Sequence, residues 1–191
     1  MDNSDFSKPE TFIEAIGQHE RLLTFYEIWA GARTAPNLVP RKSDLDVVAL
    51  GMAGLMPSLW VVEATAWPLA ESTFRYRLVG EDIVQGFKNN PTRATLAEVH
   101  DAELSTFLHR RYRLIMEQAL AEYRSGRILQ ADKKTFIGHR VLLPLADDDS
   151  KCVFTIGCMQ MDETIHHLTA SKRPKVSAND IIATPIDHLP L

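Results

Sequence analysis

The spacing of apolar residues changes several times along the chain, and each change marks an element. Between Gln18 and Ala32, the residues Leu22, Phe25, Tyr26 and Trp29 recur at i, i+3, i+4 and i+7, one stripe of an amphipathic helix. The proline at 36 closes that helix, because a residue preceding proline avoids helical torsions. At Thr73–Gly80 (T-F-R-Y-R-L-V-G) the period shifts to two: Phe74, Tyr76 and Leu78 alternate with Arg75, Arg77 and Val79. Ser58–Thr65 reads as a strand before it, apolar on nearly both sides. Glu81 opens a short helical piece carrying Ile83, Val84 and Phe87. Thr95 and Glu98 have the spacing of a capping box. A long helix is expected from Asp101, a suitable N-cap, to Tyr123, with Leu104, Phe107, Leu108, Ile115, Ala119 and Tyr123 on its apolar side. Three strands should follow: a weakly patterned one at Arg127–Lys133, then His139–Ala146 and Lys151–Met161, the last two joined by an acidic turn at Asp147–Ser150.

This order predicts an α+β fold: a five-stranded antiparallel sheet with helices on one face and an N-terminal flanking helix. The domain plan is an N-terminal tail at 1–17, a domain at 18–162 led by the helix 18–33, and an extended C-terminal tail at 163–191. The leading helix has an apolar stripe that must lie on something, either the domain's own sheet or a second copy. Leu22, Phe25, Tyr26 and Trp29 are therefore the dimer-helix candidates, and a homodimer is expected.

Composition narrows the classes. The chain has 191 residues, 45% hydrophobic and 24% charged, which suits one globular domain with a real core. A formal net charge of -4 gives no global electrostatic reason to bind nucleic acid, and no apolar run approaches the ~20 residues needed to span a bilayer. The polar, acidic start is unlike a secretory signal. The two cysteines make no disulfide framework, so a cytoplasmic location is expected, with neither nucleic acid nor membrane as partner.

The order of elements is that of a PAS domain, and the chain resembles the type-5 PAS family of alphaproteobacteria. The matching residues are Trp29 and Arg33, Pro40-Arg41 and Asp44, Pro57, the motif F-R-Y-R-L-V-G at Phe74–Gly80, T-L-A-E-V at Thr95–Val99 and L-L-P-L-A-D-D-D at Leu142–Asp149. The similarity covers about residues 20–162; the segment Arg127–His139 departs from it, and nothing beyond Asp162 matches. The resemblance implies a stand-alone, non-catalytic sensory or regulatory domain in signal transduction, binding a small molecule or a protein partner. Two other classes stay open: a small pocket enzyme of the ketosteroid-isomerase type, and a ligand-free scaffold or localisation factor.

The candidate chemistry is sparse. Trp60, Phe74, Tyr76 and Phe107 line a pocket between sheet and helices, or form packed core. Arg111 belongs to a basic stripe with His109, Arg110, Arg113, Arg124 and Arg127, which clamps a phosphate or a dinucleotide, or is a solvated face paired with Glu103, Glu117 and Glu122. Cys152 and Cys158, six residues apart in one strand, lie ~20 Å from each other and cannot share a metal ion. None of the seven histidines has metal-ligand spacing, and no catalytic constellation or phosphate loop is present. The resemblance brings two cofactors to mind. Haem would need an axial histidine on the long helix, where His109 stands beside Arg110 and Arg111, so haem is not expected. Flavin–thiol photochemistry needs a cysteine in the helix after the second strand, and G-E-D-I-V-Q-G-F-K-N-N-P has none. The identity of any cofactor is left open.

Overall fold

The computed structural model describes residues 6–35, 38–87, 89–131, 134–166 and 181–190. Among these, six helices, α1 (Pro9–Gly17), α2 (Glu20–Gly31), α3 (Val47–Met52), α4 (Glu81–Val84), α5 (Leu96–Val99) and α6 (Ala102–Glu117), surround one sheet. Its strands are β1 (Leu59–Ala64), β2 (Phe74–Val79), β3 (Leu120–Ala131), β4 (Lys134–Ala146), β5 (Cys152–His166) and β6 (Ile181–Pro185). They lie in the order β2-β1-β5-β4-β3-β6, every neighbouring pair antiparallel. The α+β class and the antiparallel sheet are as expected, with six strands instead of five and helices on both faces instead of one.

The alternation of side chains along each strand sorts the core into two bodies. One face carries Ala121, Tyr123, Val141, Leu143, Leu145, Phe154, Ile156 and Cys158, and α1 and α2 close over it with Phe12, Ile16, Leu22, Phe25, Tyr26 and Trp29. The other carries Trp60, Val62, Phe74, Tyr76, Leu142 and Met159 and is covered by Tyr112, Ile115 and Met116 of α6, with Leu96 of α5 and Ile83 of α4. The four dimer-helix candidates therefore belong to the chain's own core: Leu22, Phe25 and Trp29 are 0% exposed and Tyr26 is 4% exposed. The stripe expected to meet a second copy meets the sheet instead, because burying it there removes the same apolar area from water within one chain.

Three boundaries differ from expectation. The long helix ends at Glu117, because Ala119 adopts a left-handed φ of 47° that no α-helix continues. Ile115, Ala119 and Tyr123 suggested one helical face, but a spacing of four is also even, and Tyr123 shares a strand face with Ala121. The expected N-terminal tail contains α1, opened by Pro9 at a position where a proline costs no hydrogen bond. The expected C-terminal tail contributes β6, paired with β3 from Leu120↔Pro185 to Arg124↔Ile181, and then a 3-10 turn that buries Ile186 and Leu189. The first residues of that tail, 163–166, extend β5, and 167–180 and 191 lie outside the described residues.

Arg33 fastens this end of the chain. Its guanidinium donates to the carbonyls of Ile186 (2.8 Å), Pro190 (3.1 Å) and Leu189 (3.4 Å), and the Tyr26 hydroxyl donates to Pro190 (3.1 Å). Before α1, Ser7 N–H donates to the carbonyl of Ala183 and accepts the Thr184 hydroxyl on its own carbonyl. Pro144, unusual inside a strand, sits where the β3–β4 ladder has already ended at Glu122↔Leu142, so its missing N–H breaks no bond. Its carbonyl accepts from the Trp29 indole at 2.9 Å.

Candidate functional site

The face under α6 is unlike an ordinary core. Helix α6 starts where the Asp101 carboxylate accepts from Leu104 N–H at 2.8 Å, and α5 before it has the expected capping box between Thr95 and Glu98. Correct phasing of these short helices turns Tyr112 inward from α6 onto the sheet. There the Trp60 Nε1–H donates to the Tyr112 hydroxyl at 3.0 Å. The Trp60 ring lies flat across β5 at Gly157, where a Cβ would stand 2.3 Å from the indole; no other residue leaves that space. Tyr76, on β2, shares a 2.8 Å hydrogen bond between its hydroxyl and His100 Nε2.

Beside these rings the sheet presents charge. Glu122 on β3 is 2% exposed and pairs with Arg111 of α6. One row further, Arg140 on β4 stands between Met159 of β5 and Arg124 of β3, on the same face as Leu142. The Nε atoms of Arg111 and Arg140 are sealed from solvent without a hydrogen-bond partner. Arg140 as a whole keeps some exposure, and no carboxylate or carbonyl among the described residues meets its guanidinium. Thr155 Oγ1, on this face of β5, also lacks a partner.

Burial and like charge act on every group here. Desolvation, then repulsion from Arg140, Arg124 and Arg110, pushes Arg111 down to about 10, still protonated at neutral pH. Burial lowers Arg140 as well. Burial raises Tyr76, well above its ordinary 10, and Tyr112, so both phenols are neutral at pH 7. Arg140 thus faces neutral hydroxyls, and Glu122 is already engaged by Arg111.

The five pocket candidates separate. Trp60, Phe74, Tyr76 and Arg111 converge on this face, and Phe74 packs its ring against His109 (5.2 Å between centroids) and Tyr112 (6.3 Å). Phe107 stays at the rim: it is 39% exposed, with the guanidinium of Arg124, from the edge of that face, 5.8 Å from its ring centre. Contrary to expectation, the apolar side of this helix does not include it, because the inward face of α6 is set by Tyr112, Ile115 and Met116, and Phe107 is out of phase with them. Burial lowers the pKa of His109, and its ring edge is taken up by Phe74. Arg140 and Tyr112 were missed. The signal for Arg140 was its parity: in H-R-V-L-L-P-L-A it falls on the side of Leu142, not of Val141 and Leu143.

A second polar group lies at the edge of the opposite face. His139 Nδ1 shares a 2.6 Å hydrogen bond with the Tyr123 hydroxyl, its Nε2 lies 2.7 Å from Asp162 Oδ2, and its ring stacks on His19 at 3.7 Å. Burial, then His139, lowers the pKa of His19. These contacts tie the α1–α2 junction to the sheet; no nucleophile or open cleft accompanies them among the described residues. Cys158 is a buried thiol and Cys152 a half-buried one, each pushed up to about 12 by desolvation, which leaves them unreactive as thiolates. No helix among the described residues is long and apolar enough to cross a membrane.

No family model and no curated protein matches the chain. Among solved structures it is similar to the VqmA dimer of Vibrio cholerae, described with LuxR-type receptors and their DNA binding, at 14% identity and a TM-score of 0.46. That likeness covers 66% of this chain and spans 54% of the other. An IclR-type transcriptional regulator from Alicyclobacillus acidocaldarius is similar at 12% identity and a TM-score of 0.23, over 81% of this chain and 80% of that one. Likenesses of this extent assign no activity to the chain.

Proposed function

We propose that the chain is a non-catalytic, PAS-like sensory or regulatory module that binds a small molecule on the α6-covered face of its sheet. The observation that carries this reading is Arg140, a charged side chain set among apolar residues on that face, its Nε sealed and its guanidinium without a counter-charge among the described residues. A scaffold has no use for such a group, because even partial desolvation of an unpaired charge costs free energy that an apolar residue would spare. A binding site does, because a ligand that satisfies the group recovers that cost and so selects one arrangement of helix and sheet. Helix α6, which carries Arg111 and Tyr112 and runs directly into β3, is the element placed to transmit such a selection. A homodimer built on Leu22, Phe25, Tyr26 and Trp29 is no part of this reading, since all four are internal.

Native mass spectrometry of the purified chain beside the same sample denatured tests the reading. A mass excess in the folded protein that disappears on denaturation is expected. A bare mass, unchanged after incubation with cell extract, would instead favour the scaffold.

A further inference from the structure

The chemistry around Arg140 specifies more than the presence of a ligand. Three features bear on its class. The guanidinium is the one cation of the group without a described counter-charge or ring contact, since Glu122 engages Arg111 and the Arg124 guanidinium lies over the Phe107 ring. The neighbouring Tyr112 oxygen already accepts the Trp60 N–H, so its own proton is left to donate, and no acceptor for it is present among the described residues. The walls are apolar: Trp60, Leu142, Met159 and Met116 belong to the same buried cluster.

We propose that the Arg140 site binds a small organic monocarboxylate, its oxygens accepting from the Arg140 guanidinium and the Tyr112 hydroxyl and its apolar body lying against Trp60, Leu142 and Met159. This rests on the small-molecule reading above and names the ligand class. A carboxylate is an acceptor-only group, matched to two donors with no acceptor between them. One uncompensated positive charge calls for one negative charge. A phosphate monoester or a dinucleotide brings two, and Arg140 by itself matches only one of them, which favours a carboxylate over a phosphate at this guanidinium. Arg140 Nε is sealed while the side chain keeps exposure, and no terminal nitrogen is both sealed and unpaired, so the end of the fork stands at an opening instead of in packed atoms.

The test is calorimetric titration of the full chain with matched acid and amide pairs, benzoate with benzamide and hexanoate with hexanamide, and with inorganic phosphate at equal ionic strength. Each is repeated on R140M and R140K, after circular dichroism shows both variants folded. At least one carboxylate should bind tenfold or more tightly than its amide, lose that advantage in R140M and regain part of it in R140K. Phosphate should bind more weakly than that carboxylate. An acid and its amide bound equally, with R140M unaffected, would overturn the carboxylate and leave small-molecule binding in place. Phosphate binding more tightly than any carboxylate would also overturn it, in favour of a phosphate ligand. No binding of any probe to the wild type, together with a bare native mass, would overturn both readings.

Discussion

The two faces of the sheet are built from the same strands and solve opposite problems. Under α1 and α2 the packing is apolar and sealed, with Phe12, Ile16, Leu22, Phe25 and Trp29 at 0% exposure; the Trp29 indole donates to Pro144 and the terminal nitrogens of Arg33 to three carbonyls, which leaves the Arg33 Nε sealed without a hydrogen bond among the described residues. Under α6 the strands present Glu122, Arg124 and Arg140 on the rows that would otherwise be filled with apolar side chains, and the Arg140 guanidinium meets no acceptor among the described residues. Native interiors rarely leave such groups unsatisfied without a functional reason. The difference teaches that stability and recognition are divided between the faces: one holds the chain together, the other bears the cost of a site.

Substitutions should expose that division. The largest effect is expected from W29A, which removes a fully buried ring and its bond to Pro144; a loss of roughly 3–5 kcal/mol in urea unfolding is expected. Next comes G157A, whose new methyl would meet the Trp60 ring. A loss of about 1–3 kcal/mol and altered tryptophan fluorescence should follow, and unchanged emission would mean that the indole lies elsewhere. R140M should act in the other direction, raising the unfolding free energy by ~1 kcal/mol through removal of a partly desolvated guanidinium whose Nε has no partner. A clear destabilisation by R140M would erase the contrast between the faces.

The smallest effect is set by pH. Burial holds His100 and His109 under α6, and His19 on the other side, below the ordinary 6.5. In the window between that value and their lower folded values the unfolded chain binds more protons, so stability is complete above pH 6.5 and falls on acidification. The urea midpoint should therefore drop between pH 7.5 and 5.5, and H100Q should make the drop shallower. A midpoint independent of pH in H100Q and wild type alike would show that these rings are not desolvated.

Much of the architecture was legible in the chain. Phe74, Tyr76 and Leu78 announced a strand through strict alternation, and Asp101 and the Thr95–Glu98 pair marked helix starts through capping chemistry that is local by nature. What was not legible is non-local. Nothing within Leu22–Trp29 says whether its stripe meets its own sheet or another copy, because both bury the same residues. Ile181–Pro185 carries little pattern of its own and becomes a strand only because β3 offers it an edge. The site was half visible: Trp60, Tyr76 and Arg111 by type and spacing, but not Arg140, whose meaning depends on which helix covers its face.

The fastening of the chain's end by Arg33 sets a timetable for its birth. The guanidinium leaves the ribosome 153 residues ahead of the Ile186 carbonyl that it will hold. At ordinary elongation rates of ~5–20 residues per second that is a wait of roughly 8–30 s. Over that interval the α2 segment is already synthesised, yet part of its seat does not exist, and the nascent chain carries an apolar stripe ahead of the partner that locks it. A contact so distant in sequence is one that folding must save for last. The docking of β6 and the turn after it, and not the formation of any helix, is then the step that closes the sheet and locks α2 in its seat.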